Sequence, residues 1–198
     1  EILNLMDFNC DQRTDVHFFY TLPISKKKAL VETTWLSNLD NQSLMDYDFQ
    51  LDNYIKTNLG IKNYKINFTE KGAIPLFYPS PRNNEKIINI GSAGGMTRLS
   101  TGYTFLNIQE HSKYIVKHIN DIEKLKKYNF GKKYLFLDKI FLKVLGRHPE
   151  KMPKIFFDMF ETSSNTIIKF LSNKSNFFED INIISKMPKL IFIKALLN

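Results

Sequence analysis

The sequence predicts an α/β fold of the α+β kind, with a mixed, mainly antiparallel sheet followed by helices. Three stretches carry that reading. "DVHFFYTLPIS" and "ALVETTWL" alternate with period two, "EKIINIGSAGGMTRLSTGYTF" breaks an apolar run with glycines, and apolar spacing is helical from Gly131 onward. In the first stretch Val16, Phe18, Tyr20 and Leu22 share one face, and a polar connection over 25–28 joins the two runs into a hairpin over 14–36. Ser43 as N-cap, apolar Leu44, Tyr47, Leu51, Tyr54 and Ile55, and Gly60 as stop predict a helix over 43–59. Two short strands are expected around Lys71-Gly72. Ile87, Ile88 and Ile90 predict a strand over 86–91, and a helix is expected from about Thr101 to Lys127. In the tail, Leu137, Ile140, Phe141, Val144 and Leu145 form one helical stripe ended by Gly146, Pro153 opens a second helix, and a third apolar run covers 167–171.

Glu32 interrupts this pattern. Alternation places it with Leu30, Thr34 and Leu36, where a charge is costly unless paired, solvated or protonated. Two readings stand at this point: an edge strand with Glu32 in water, or a carboxyl group placed for proton chemistry.

Composition narrows the classes. The chain has 198 residues and 43% hydrophobic content, enough for a sizeable core. A lone cysteine, Cys10, excludes an internal disulfide framework and a cysteine-rich metal site, and fits a reducing compartment. His17 and His111 lack metal-ligand spacing, so no metal is assigned. No apolar run reaches the length of a spanning helix. The opening, "EILNLMDFNC", carries neither an initiator Met nor a signal-peptide pattern, so it reads as a chain entered partway through a longer protein. Residues 1–112 hold 11 Lys and Arg against 12 Asp and Glu, and residues 113–198 hold 17 against 8. The basic excess thus sits in an apolar, aromatic tail, a composition suited to nucleic acid, to an anionic membrane surface, or simply to a solvated helical face. The glycine turn before a helix is an anion-binding arrangement, although its spacing is not that of a primary dinucleotide fingerprint, and an ordinary turn accounts for it equally well.

Four segments, in order, resemble the carboxy-terminal half of the flavin-dependent lycopene cyclases, particularly the bacterial type: "LMDFNCDQ", "FFYTLPISKKKALVETTWLSN", "IGSAGGMTRLSTGYTF", and the run from "FLDKIFLKVLGRHPEKMPKIFFDMF" to "SKMP". The sequence departs from the family pattern at Thr33, where relatives commonly carry a second acid after the glutamate, and at "MTRLSTGY", where a proline often stands. The family's amino-terminal GxGxxG half has no counterpart, which marks the chain as a fragment or a truncated product.

The resemblance implies the carboxy-terminal part of a two-domain FAD flavoprotein. Residues 1–85 would belong to a substrate-binding sheet domain, 86–127 to a returning FAD-binding strand and helix, and 128–198 to a helical region able to contact a membrane. It implies an isomerase that cyclises the ends of lycopene, or of a related linear carotenoid, to beta-carotene, with reduced FAD as cofactor and NADPH as electron source. Glu32 becomes the proton-handling acid. Phe18, Tyr20 and Trp35 become aromatic groups beside the substrate cation. Gly91, Ala93, Gly94, Gly95, Met96, Thr101, Gly102 and Tyr103 become the flavin segment. Peripheral attachment to the cytoplasmic face of a membrane follows from the substrate, with no nucleic-acid partner. A flavin-dependent reductase or hydroxylase of an isoprenoid, or a non-catalytic membrane-peripheral remnant, is the alternative.

Overall fold

A computed structural model describes residues 3–38, 46–78, 87–128 and 131–197. Its sheet forms where period-two alternation meets a turn. Strands β1 (Asn4–Asp7), β2 (Val16–Ser25) and β3 (Lys28–Leu36) pair antiparallel in the order β1-β2-β3. The hairpin register sets Val16 opposite Leu36, Phe18 opposite Thr34, Tyr20 opposite Glu32 and Leu22 opposite Leu30. The expected hairpin is therefore present, and the short β1 joins it.

Helix α1 (Tyr47–Thr57) covers one face of this sheet. Tyr54 stacks on Phe19 with ring centroids 3.9 Å apart and nearly parallel planes, and its hydroxyl donates to Asp7 Oδ2 at 2.6 Å. Both rings are almost wholly buried, so this stack anchors the helix. The expected cap, Ser43, lies outside the described residues; Asp46 occupies the N-cap position and pairs instead with Arg13 at 2.7 Å.

The chain divides into two compact units, Glu1–Lys71 with His148–Lys154, and Gly72–Arg147 with Ile155–Asn198. The second unit is helical. It contains α2 (Phe105–Lys117), α3 (Ile122–Leu125) and α4 (Lys132–Arg147). It also contains most of α5 (Met152–Phe160), then α6 (Ser164–Leu171), α7 (Phe177–Lys186) and α8 (Lys189–Leu197). Helices α4 and α8 pack together, with Phe141 between Phe156 at 5.3 Å and Phe192 at 6.1 Å by ring centroid. Start signals are chemical: Ser163 caps α6 through the Thr166 amide, and Asn176 and Glu179 form a reciprocal capping box on α7.

Several expected elements differ. No strands form around Lys71-Gly72: residues 61–78 have no regular structure, and Ile66, Phe68, Ile74 and Phe77 are exposed. The described part of 86–91 is not a strand; residues 87–90 are irregular and Gly91–Gly94 makes a 3-10 turn. Alternation alone is not sufficient, because a strand also needs a ladder partner and a core face. The helix expected from Thr101 starts at Phe105, since Gly102 adopts φ +71° and its amide turns back to the Arg98 carbonyl at 2.7 Å. It stops at Lys117, and Asp121 caps a separate short helix. Gly146 does not end α4. The stop comes at His148, which precedes Pro149 and leaves the helical region at φ −140°.

Candidate functional site

The register of β2 and β3 sorts the hairpin into two chemically different faces. Phe18, Tyr20 and Leu22 share a face with Leu30, Glu32 and Thr34, and this face is opposite the one that carries Phe19 toward α1. Glu32 is exposed and β3 is an edge strand among the described residues, as the edge-strand reading expected, and no leucine cover encloses this carboxyl. Leu30, which precedes it on the same face, is itself 41% exposed. The Thr34 hydroxyl donates to Glu32 Oε1 at 2.8 Å, which orients the carboxylate along the strand. The structure thus brings Glu32, Phe18 and Tyr20 together as one accessible apolar strip bearing a single acid. It does not bring Trp35 to them.

Trp35 lies on the α1 side. Its ring stacks on His17 at 3.9 Å with a 10° interplanar angle, and its Nε1–H donates to Gln50 Oε1 at 2.9 Å. His17 is buried, with Nδ1 2.8 Å from the Asp11 carbonyl oxygen and Nε2 2.7 Å from the Thr33 hydroxyl. A carbonyl can only accept, so Nδ1 carries a proton, and the Thr33 hydroxyl sits between Nε2 at 2.7 Å and Gln50 Oε1, to which it donates, at 3.1 Å. Thr33, at the position of the missing second acid, is therefore committed to a buried polar network. Desolvation holds His17 below the usual histidine range. Such a group adds stability that is full above its unfolded value, about 6.5, and is lost as pH falls through its lower folded value. Urea titrations from pH 7.5 down to pH 5 are expected to show falling stability, with a smaller fall in His17→Gln. His111, also buried and shifted down by desolvation, supplies the remaining slope.

The glycine segment belongs to the second unit. Gly91 and Gly95 take left-handed angles of +59° and +76°, and the Gly95 amide closes the turn on the Ser92 carbonyl. A Cβ at Gly94 would stand 2.6 Å from the Asn89 carbonyl oxygen. Gly94 is thus required by the chain's own backbone, whatever binds nearby. Gly94→Val is expected to cost about 1–3 kcal/mol of stability in chemical denaturation, as overpacking does. A ligand could meet Gly91, Ala93, Gly94 and Gly95 and then Thr101, Gly102 and Tyr103, which are half-buried or exposed and present backbone with little side-chain cover. Gly102 in particular has open space where a Cβ would sit. Met96 differs: it is buried and begins an entirely buried run through Ser100.

That run holds the feature that sequence reasoning missed. Arg98 and Asp138 are both fully buried and joined by an Nη2–Oδ1 contact of 2.7 Å, with Nε donating to both carboxylate oxygens at 3.1–3.2 Å. Asp138 Oδ2 also accepts from the Leu99 amide at 2.9 Å. The remaining guanidinium nitrogen donates to the Phe170 carbonyl and to Asn173 Oδ1, between the faces of Tyr134 and Phe170. This pair clamps the end of the glycine segment to α4 and α6. The available signal was Asp138 itself, a charge inside the apolar stripe of α4, three residues before Phe141.

Cys10 offers no nucleophile: burial, helped by Asp7 and Asp11, pushes its thiol up to about 12. Among the described residues no group of His, Cys, Asp and Glu could hold a metal ion, and no helix is long and apolar enough to cross a membrane. Comparisons with curated proteins and with solved structures gave no match. The family model described as lycopene cyclase protein matches residues 1–197, end to end with the four segments and the acid-bearing hairpin, and the chain belongs to the lycopene cyclase family.

Proposed function

We propose that the chain carries out, with reduced FAD, the acid-catalysed and redox-neutral cyclisation of lycopene ends to beta-carotene. The observation that carries this reading is the accessible hairpin face that combines one carboxyl group, Glu32, with Phe18, Tyr20, Leu22 and Leu30. Lycopene is a hydrocarbon, so an apolar strip is what can bind it. A polyene laid along that strip removes water from Glu32, and covering a carboxylate with apolar surface favours the neutral acid. The acid then adds its proton to the terminal alkene. The neighbouring double bond attacks the tertiary cation and closes the ring, and loss of a proton gives the ring alkene. Protons gained and lost are equal, so the product is an isomer. Phe18 and Tyr20 offer ring faces to the cation.

In this reading a flavin meets the half-buried or exposed backbone of Gly91–Gly95 and Thr101–Tyr103, next to the buried Met96. When bound and reduced, with NADPH as electron source, it supplies fixed negative charge that favours a developing cation. In this reading residues 1–85 serve the substrate, 86–127 the flavin, and 128–198 the membrane surface from which the substrate is drawn. Phe177, Phe178, Leu190 and Leu197 are strongly exposed, and Lys132, Lys139, Lys186 and Lys189 are exposed on the same helices or on α4. Anionic vesicles are expected to carry the protein upward in flotation, and salt is expected to weaken that binding, because each lysine near such a surface contributes about 1 kcal/mol. Salt-insensitive binding that is equal on neutral vesicles contradicts the attachment.

The reaction itself is tested by supplying lycopene and chemically reduced FAD and weighing the product. Unchanged mass with a beta-ring spectrum supports cyclisation. Added hydrogen or oxygen identifies a reductase or hydroxylase instead.

A further inference from the structure

The two oxygens of the Glu32 carboxyl group are not equivalent. Oε1 accepts from the Thr34 hydroxyl at 2.8 Å, and among the described residues no hydrogen bond reaches Oε2. Leu30, the neighbour on the other side along the strand face, has no polar side-chain atom to offer, and the hydroxyl of Tyr20, directly opposite, is not bonded to the carboxyl group among these residues. Thr34 is itself well held. It is half-buried, stands directly opposite Phe18, and is β-branched, so its χ1 has few choices.

A neutral carboxyl group has one carbonyl oxygen, which accepts, and one oxygen that carries the proton. A hydroxyl donating to Oε1 makes Oε1 the carbonyl and leaves the proton on Oε2. Cyclisation asks this group for two transfers. One proton goes to the terminal alkene, and after ring closure another comes off a carbon beside the tertiary cation. Three such carbons bear hydrogen: the ring carbon that joins the polyene, a ring CH2 and a methyl group. Loss from the first gives the beta ring, from the second the epsilon ring, and from the third an exocyclic alkene. Each route adds one proton and removes one, with no electrons gained or lost, so all three products are isomers of lycopene. An acid free to turn reaches more than one of these carbons. Resting on the cyclisation reading, we propose that Thr34 is a positioning residue that fixes the ring isomer. By holding Oε1 it leaves Oε2 as the oxygen that gives one proton and takes the other, and a fixed oxygen meets one carbon.

The test supplies lycopene and chemically reduced FAD to the 198-residue chain and resolves the ring isomers by chromatography and NMR. The unaltered chain is expected to give one isomer. Thr34→Val keeps the shape and removes the hydroxyl. It is expected to go on forming rings, with the ratio of the main isomer to the others lowered about ten- to a hundredfold, the range of one hydrogen bond to a charged group. Thr34→Ser returns the donor and is expected to restore the ratio. A role in folding alone lowers all isomers together. An unchanged ratio in Thr34→Val, no rings at all from that variant, as large a mixture in Thr34→Ser, or a mixture already made by the unaltered chain each overturns the proposal. Glu32→Gln, assayed alongside, separates this inference from the reading beneath it. Rings formed at the normal rate by Glu32→Gln, or none formed by the unaltered chain, overturn the acid and Thr34 with it. Rings lost in Glu32→Gln, together with an unchanged ratio in Thr34→Val, overturn Thr34 alone.

Discussion

Asp138→Ala is expected to destabilise the helical unit by about 3–5 kcal/mol, the cost of removing one partner from a buried ion pair. The guanidinium of Arg98 would stay buried with its carboxylate gone, and the Leu99 amide would lose its acceptor. Against a total stability of about 5–15 kcal/mol, that loss takes much or all of the fold's margin. Arg98→Met with Asp138→Leu is expected to do better than Asp138→Ala alone, because apolar replacement removes both charges together. Urea unfolding followed by circular dichroism checks the order. If Asp138→Ala unfolds at the same urea concentration as the unaltered chain, the pair does not anchor the unit.

Glu32→Gln is expected to lower the cyclisation rate by about 10²–10⁴, the usual cost of losing a general acid, while leaving folding almost untouched. The side chain is exposed, and a glutamine oxygen can still accept from the Thr34 hydroxyl. Surface changes of this kind fall within about 0.5 kcal/mol of neutral. Stability, flavin retention and product formation measured on one preparation separate a lost acid from a damaged fold. Near-normal beta-carotene production by this variant removes Glu32 from the mechanism.

The hairpin was legible because both its signals are local: strict alternation in each strand and a polar turn between them. Its register came only with the structure, and with it the grouping of Phe18, Tyr20 and Glu32. The exposure of Glu32 was one of the two readings the strand pattern left open, and the pattern could not choose between them. Leucines beside a glutamate in sequence indicate which face it shares, not whether anything covers that face. The isoleucines at 87–90 illustrate the same limit, since pairing is decided by a partner elsewhere in the chain. The helix start at Met152 falls one residue from the expected Pro153, and the one at Phe105 is displaced by a few residues because Gly102 takes a left-handed angle. Alternation already set Trp35 on the strand face opposite Glu32; only the structure shows that α1 receives it there. The Arg98–Asp138 pair spans 40 positions, and no local pattern reports a contact at that separation.

The same pair has an evolutionary consequence. A lineage that loses Asp138 first must carry an unneutralised guanidinium in its interior, and one that loses Arg98 first must carry an unneutralised carboxylate. Either intermediate is selected against through misfolding, long before catalysis is measured. Substitution at either position alone is therefore expected to be far costlier than replacement of both together.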